Sequence, residues 1–228
     1  MKRINVSNNV IRRLPRYLRR LDELAEKGIT RISSSELGQQ LGLTPSQIRQ
    51  DFSCFGEFGQ QGYGYNVTAL RESISVILGM DREFRAVLIG TGNIGRALMD
   101  NFCFSNWGFN LVAAFDVNPE VVGKDINGIT VRSMTELKEF LDSNLIDAAV
   151  LTVPQEVAVS VSKTLIDNGI RAIWNFTNAE IAPEDGPVIV ENIQFADSLL
   201  SLSYRIAARQ DDEAAKAAKA ARKAAENR

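Results

Sequence analysis

No histidine occurs among the 228 residues, so a Ser-His-Asp triad, a histidine general base and a histidine-ligated metal centre are all excluded. Cysteine is nearly as scarce. Cys54 and Cys103 stand alone at no metal-binding spacing, which excludes a disulfide framework. With no stretch that reads as a signal peptide, they are expected to be reduced, buried thiols of a cytoplasmic protein. No apolar run approaches the roughly 18 to 20 residues that span a bilayer. The net charge of −2 excludes a uniformly basic chain. The charge is nevertheless uneven, with ten Lys and Arg against four Asp and Glu in residues 1–50, and fifteen against twenty-one in residues 81–228. Positive charge collects at the N-terminal end.

What is present falls into two patterns. In VIRRLPRYLRRLDELAEK, residues 10–27, Val10, Leu14, Leu18, Leu21 and Leu24 follow helical spacing, and the opposite face is mostly arginine. Two capped helices come next. Ser33 and Glu36 have capping-box spacing, and Thr44-Pro45-Ser46-Gln47 supplies an N-cap, a proline where no donor is needed and a Gln at N3. With Gly42 between them this is a helix-turn-helix, and the glycine-dense stretch GEFGQQGYGYNV that follows predicts a hairpin or wing. A helix over 67–80 closes an N-terminal domain, residues 1–80. The second helix of the pair, about 45–54, would lie in the major groove of DNA with Ser46, Gln47, Arg49, Gln50 and Ser53 exposed. Arg49 is the first choice for a base contact, because its planar fork matches O6 and N7 of guanine. Arg12, Arg13, Arg16, Arg19, Arg20 and Arg31 then read as phosphate contacts.

From Phe84 the periodicity changes. RAVLIG, NLVAAFD, DAAVLTVP and AIWNFT are short apolar runs of the kind buried on both faces of a parallel sheet, with helices expected at about 94–103, 134–142 and 155–168. This predicts an α/β, doubly wound, Rossmann-like domain over 81–190. GTGNIG follows the first run and places Gly90, Gly92 and Gly95 at the three positions of a dinucleotide fingerprint, together with Thr91, Asn93 and Ile94. Asp116 closes the next strand, where a carboxylate binds ribose hydroxyls and repels a 2′-phosphate, favouring NAD over NADP. No tyrosine has a lysine four residues later, and no partnered acid-base pair is visible, so cofactor binding carries no evident catalysis. After a last strand, Phe195, Leu199, Leu202 and Ile206 form an apolar helix face with too little chain left to cover it, and residues 211–228 read as a charged, Ala-rich, fraying helix.

Taken together, RLPRYLRRL, SSSELGQQLGLTPSQIRQDFSCFGEFGQQGYGYNV, VLIGTGNIGRAL, AFDVNPEVVGK, AVLTVP and VENIQF closely resemble the Rex family of redox-sensing transcriptional repressors, over residues 10–206. The resemblance implies a homodimer in which a winged helix is joined to an NAD(H)-binding Rossmann domain and a C-terminal helix, residues 191–210, is exchanged between subunits. It implies that the dimer holds double-stranded operator DNA when free or bound to NAD+, and that NADH releases it. It adds Val117, Lys124, Thr152, Val153, Pro154 and a partner-supplied Phe195 to the cofactor residues, and Tyr17, Gln60 and Gln61 to the DNA-facing set. Two positions depart from the family pattern: Asn101 and Gln194 stand where a Tyr and an Asp are common. Gln60 and Gln61 replace basic residues frequent in the wing. The alternatives are a small NAD-dependent oxidoreductase with an accessory helical domain, and a nucleotide-binding scaffold whose basic helix docks to an acidic protein.

Overall fold

The computed structural model describes residues 6–56, 58–60, 63–181 and 188–226, with backbone alone for residues 59, 60 and 220–226. The chain divides into two compact units, 1–83 with 105–109, and 84–104 with 110–228. In the first, α1 (Asn8–Glu26) buries Val10, Leu14, Tyr17, Leu18, Leu21 and Leu24 along one face. β1 (Arg31–Ile32) leads into α2 (Ser34–Leu41), whose N-terminus carries the expected capping box: Ser33 Oγ accepts from the Glu36 amide at 3.1 Å, and the Ser33 amide donates to Glu36 at 2.9 Å. Gly42 then turns the chain with φ of 68°, a left-handed conformation that a side chain would strain. α3 (Pro45–Ser53) starts on Thr44, whose hydroxyl accepts from the Gln47 amide at 3.2 Å. β2 (Gly59–Gln60) and β3 (Gly64–Asn66) form the wing, in an antiparallel sheet of order β1-β3-β2. α4 (Val67–Ile77), capped by Asn66, ends three residues earlier than the sequence pattern suggests. Leu14, Leu21, Leu37, Ile48, Phe52, Leu70 and Ile74 make the core of this unit.

The second unit is a seven-stranded sheet. Its strands are β4 (Phe84–Ile89), β5 (Phe109–Asp116), β6 (Asp125–Ile126), β7 (Ile129–Ser133), β8 (Ala148–Leu151), β9 (Ala172–Asn175) and β10 (Ile189–Asn192), in the order β10-β9-β8-β4-β5-β7-β6. The pairs β4·β8, β5·β7, β8·β9 and β9·β10 are parallel. Burial on both faces explains why these strands read as continuous apolar runs: all four residues of β8 are buried, and Val87, Ile89, Phe115, Leu151 and Ile173 share one core. The connections are α5 (Asn93–Asn101), α6 (Leu137–Ser143) and α7 (Gln155–Asp167). A 3-10 turn over Met134–Glu136 takes the start of the helix expected at 134–142.

Several features differ from the sequence reading, the first being that Cys103 is exposed and Cys54 half-buried where buried thiols are expected. The β6·β7 hairpin was not foreseen, although DINGIT contains its signal: Asn127 and Gly128 have φ of 50° and 82°, the two left-handed residues of a two-residue hairpin loop. α8 (Phe195–Glu226) runs unbroken for 32 residues, so no boundary falls between the apolar segment and the Ala-rich tail.

Candidate dinucleotide site and nucleic-acid interface

The order of the strands reverses between β4 and β8, so the chain leaves their carboxyl ends in different directions and opens a crevice there. Gly90 to Gly95 leave β4 at this point. Gly90 has φ of 93° and donates its amide to the Phe115 carbonyl at 2.8 Å, while Thr152, after β8, donates its hydroxyl to the Gly90 carbonyl at 2.6 Å. Val153 lies against Gly90 as well: a β-carbon added to Gly90 would meet Val153 Cγ1 at 3.0 Å. Helix α5 is tucked under this turn, because a β-carbon on Gly95 would lie 2.0 Å from the Gly90 carbonyl oxygen. At Gly92, by contrast, an added β-carbon meets nothing within 4 Å. The open space therefore faces the N-terminus of α5, where backbone amides without intrahelical partners and the positive end of the helix dipole suit a pyrophosphate.

Asp116, at the end of β5, closes the floor. One carboxylate oxygen accepts from the Thr91 amide at 2.6 Å and the Thr91 hydroxyl at 2.7 Å, and the other from the Asn118 amide at 2.9 Å. Burial alone would raise its pKa, but the bonds from Asn118 and Thr91 outweigh burial and hold it below the usual carboxylate range. Its ionised charge is thus fixed beside the glycine loop. Asn93, Ile94 and Pro154 are exposed, as are Val117 beside Asp116 and Lys124 in the turn toward β6. Phe195 opens α8, 60% exposed, its ring centroid 6.5 Å from that of Phe176. Asn101 is exposed and turns its amide back to the Ala97 carbonyl at 3.1 Å, while Gln194 is half-buried. One group was missed. Asn175, fully buried at the carboxyl end of β9, donates to Ala179 O and Asn192 Oδ1 at 2.8 and 2.7 Å and accepts from Thr177, tying down the loop beyond β9. A polar residue inside the apolar run AIWNFT was the available sign.

In the first unit the arginines separate into two classes. Arg12, Arg16 and Arg19 are exposed, and Arg16 reaches the Leu41 carbonyl at 2.9 Å with one nitrogen. Arg20 is held by Gln40 at 2.6 Å and by Glu23. Arg31 braces the wing by donating to the Tyr63 carbonyl at 3.1 Å. Tyr17 corrects the expectation of a DNA contact, and Arg13 turns toward the same buried carboxylate. Arg13 donates to both oxygens of Asp51 at 2.6 and 2.8 Å, and the Tyr17 hydroxyl, on a side chain with no exposed surface, donates to Asp51 at 2.6 Å. Both face inward because Asp51, buried in α3, needs donors from α1. Gln47 joins them, its amide donating to Asp51 at 2.8 Å. Burial acts to raise the pKa of Asp51, and the bonds from Arg13, Tyr17 and Gln47 more than reverse it. Burial and the same carboxylate raise the pKa of Tyr17.

The outward face of α3 carries Ser46, Arg49, Gln50 and Ser53. Arg49 is steadied by Ser34 at 3.0 Å and Ser46 at 3.3 Å, so its guanidinium is presented in a defined place. Gln61 and the side chain of Gln60 lie outside the described residues. Among the described residues no group of three or more Cys, Asp or Glu side chains could hold a metal ion, and no helix is long and apolar enough to cross a membrane.

Two family models match the chain: "CoA binding domain" over residues 81–179 and "Putative DNA-binding protein N-terminus" over residues 5–53. The redox-sensing transcriptional repressor Rex of Caldicellulosiruptor saccharolyticus is 50% identical over 90% of this chain and 93% of its own length. That of Clostridium botulinum, strain Alaska E43, is 48% identical over 90% and 97%. The crystal structure of RSP in complex with β-NAD+ and operator DNA is similar at a TM-score of 0.85 and 42% identity, covering 93% of this chain and 98% of that one. RSP in complex with β-NADH is similar at 0.85 and 40%, covering 92% and 98%.

Proposed function

Because the chain belongs to the Rex family of redox-sensing transcriptional repressors, we propose that it binds operator DNA through its winged helix and leaves it when NADH occupies the Rossmann unit. The observation that carries the cofactor half is the Asp116 carboxylate, bonded to the glycine loop at the point where the strand order reverses. A sensor needs to bind the cofactor without transforming it, so the missing histidine belongs to the function. The reader is α3, with Arg49 on base edges, Ser46, Gln50 and Ser53 beside it, and Arg12, Arg16 and Arg19 on phosphates.

The protein acts as a cytoplasmic homodimer, in which the apolar face of α8 meets a second copy and Phe195 completes the partner's nicotinamide pocket with Thr152, Val153 and Pro154. Two readers enter successive major grooves only when about 34 to 36 Å apart, so a modest change of dimer geometry on NADH binding releases both. Linkage requires DNA to weaken NADH by the factor by which NADH weakens DNA. Asn101 and Gln194 remove the tyrosine and the carboxylate common in relatives, and with the latter a partner for the positive ring of NAD+. NAD+ and NADH are therefore distinguished less sharply than in those relatives. The test is a mobility shift on an inverted-repeat duplex with each cofactor added separately. NADH is expected to release the DNA, with NAD+ close behind. A cofactor-insensitive complex sinks the regulatory reading, and a large NADH preference that Gln194→Asp does not increase sinks the point about discrimination.

A further inference from the structure

We propose that Asp51 is a positioning residue for DNA reading, fixing α3 against α1 and holding the Gln47 amide so that Gln47 addresses adenine in the major groove. This rests on the repressor reading above. The inner face of α3 consists of Ile48, Asp51 and Phe52. A helix that only packs needs no carboxylate there, since a buried charge opposes folding unless it is well paired. Here the pairing is complete and comes from two helices: both oxygens take Arg13, and one each takes Tyr17 and Gln47, at 2.6 to 2.8 Å. Apolar contacts tolerate a small rotation of one helix on another, whereas several directed bonds to one planar group do not.

The orientation of Gln47 follows from charge. An ionised carboxylate only accepts, so the amide must turn its nitrogen to Asp51, and a flip would set oxygen against oxygen. What remains is Oε1 and the second amide hydrogen. Adenine offers the complement, an N6 donor and an N7 acceptor, while guanine presents two acceptors and leaves Oε1 unmatched. Gln47 is the third residue of α3, half-buried at the margin of its exposed face, within the first turn from which recognition helices reach base edges.

The experiment selects binding sites from a random duplex library with the full-length protein, Gln47→Met, Asp51→Asn and Arg49→Ala. The parent protein is expected to enrich a site with an A·T pair that Gln47→Met and Asp51→Asn both stop distinguishing, each losing about tenfold in preference at that position. Arg49→Ala loses a different position. Affinity for NADH stays within about twofold in the Gln47 and Asp51 variants, and each keeps the parent's circular dichroism, which a general loss of structure would not allow. Full preference retained in Asp51→Asn overturns the proposal, and so does an equal loss on all duplexes in Gln47→Met, which marks a phosphate contact. Should Asp51→Asn fail to fold by circular dichroism, Tyr17→Phe replaces it, keeping the ring and removing one bond to Asp51. Unchanged preference in both Tyr17→Phe and Gln47→Met is then the overturning result. A parent protein that enriches no sequence refutes the repressor reading instead.

Discussion

Gly92 and Gly95 belong to one fingerprint, yet the structure gives them separate tasks that substitution can separate. Alanine at 95 would put a methyl 2.0 Å from the Gly90 carbonyl, so Gly95→Ala is expected to destabilise the protein by about 1 to 3 kcal/mol as well as weaken cofactor binding. Alanine at 92 meets no protein atom, so Gly92→Ala should melt as the parent does while losing about tenfold in NADH affinity, because the methyl occupies pyrophosphate space. Thermal melts and NADH fluorescence titration read the two effects. Asp51 gives a prediction in pH. Its folded-state pKa is depressed, so protons bind the unfolded chain more readily and its contribution is complete above the ordinary Asp value of about 4. That contribution fades as pH falls toward the depressed value. Asp51→Asn should be about 3 kcal/mol less stable than the parent at pH 7, a gap that urea titrations should find narrowing below about pH 4. The fingerprint was legible in order and spacing. The inward turn of Arg13 and Tyr17 was not, because arginines on neighbouring positions of α1 look alike until a buried carboxylate on another helix claims one.

Among the elements, α1 and α3 decide how strongly and how selectively DNA is held. Arg12→Ala and Arg16→Ala should each reduce the slope of log affinity against log salt by about one, with sequence preference intact, as followed by fluorescence anisotropy across a KCl series. Arg13→Ala should act through stability instead, since it strips the guanidinium from a buried carboxylate. The helices of the first unit were readable because each is announced by a local cap: Ser33 with Glu36, Thr44 with Pro45. The parallel strands were readable from their apolar runs. The β6·β7 hairpin is two and five residues long and half exposed, too short to show a period, and only the Asn127-Gly128 pair marked it.

Association of two copies is decided at the scale of the whole molecule. Phe195, Leu199, Leu200, Leu202 and Ile206 are exposed together on α8, an apolar face that a single subunit leaves in water. Leu199→Asp with Leu202→Asp is expected to convert a dimer to a monomer in light scattering and to weaken operator binding sharply, because the two readers no longer act as one ligand. Unchanged mass in that variant would locate the interface elsewhere. The sequence by itself determined the local chemistry: caps, turns, strand character, the glycine fingerprint with Asp116, the basic N-terminus and the absence of a proton-transferring histidine. Each of these is set by neighbours a few residues apart, or by composition. Only the tertiary structure decided which polar groups meet across the chain, joining Asp51 to Arg13 and Tyr17, Thr152 to Gly90, and Asn175 to Asn192. Those contacts depend on how helices and strands are brought together, and spacing along a single element carries no record of it.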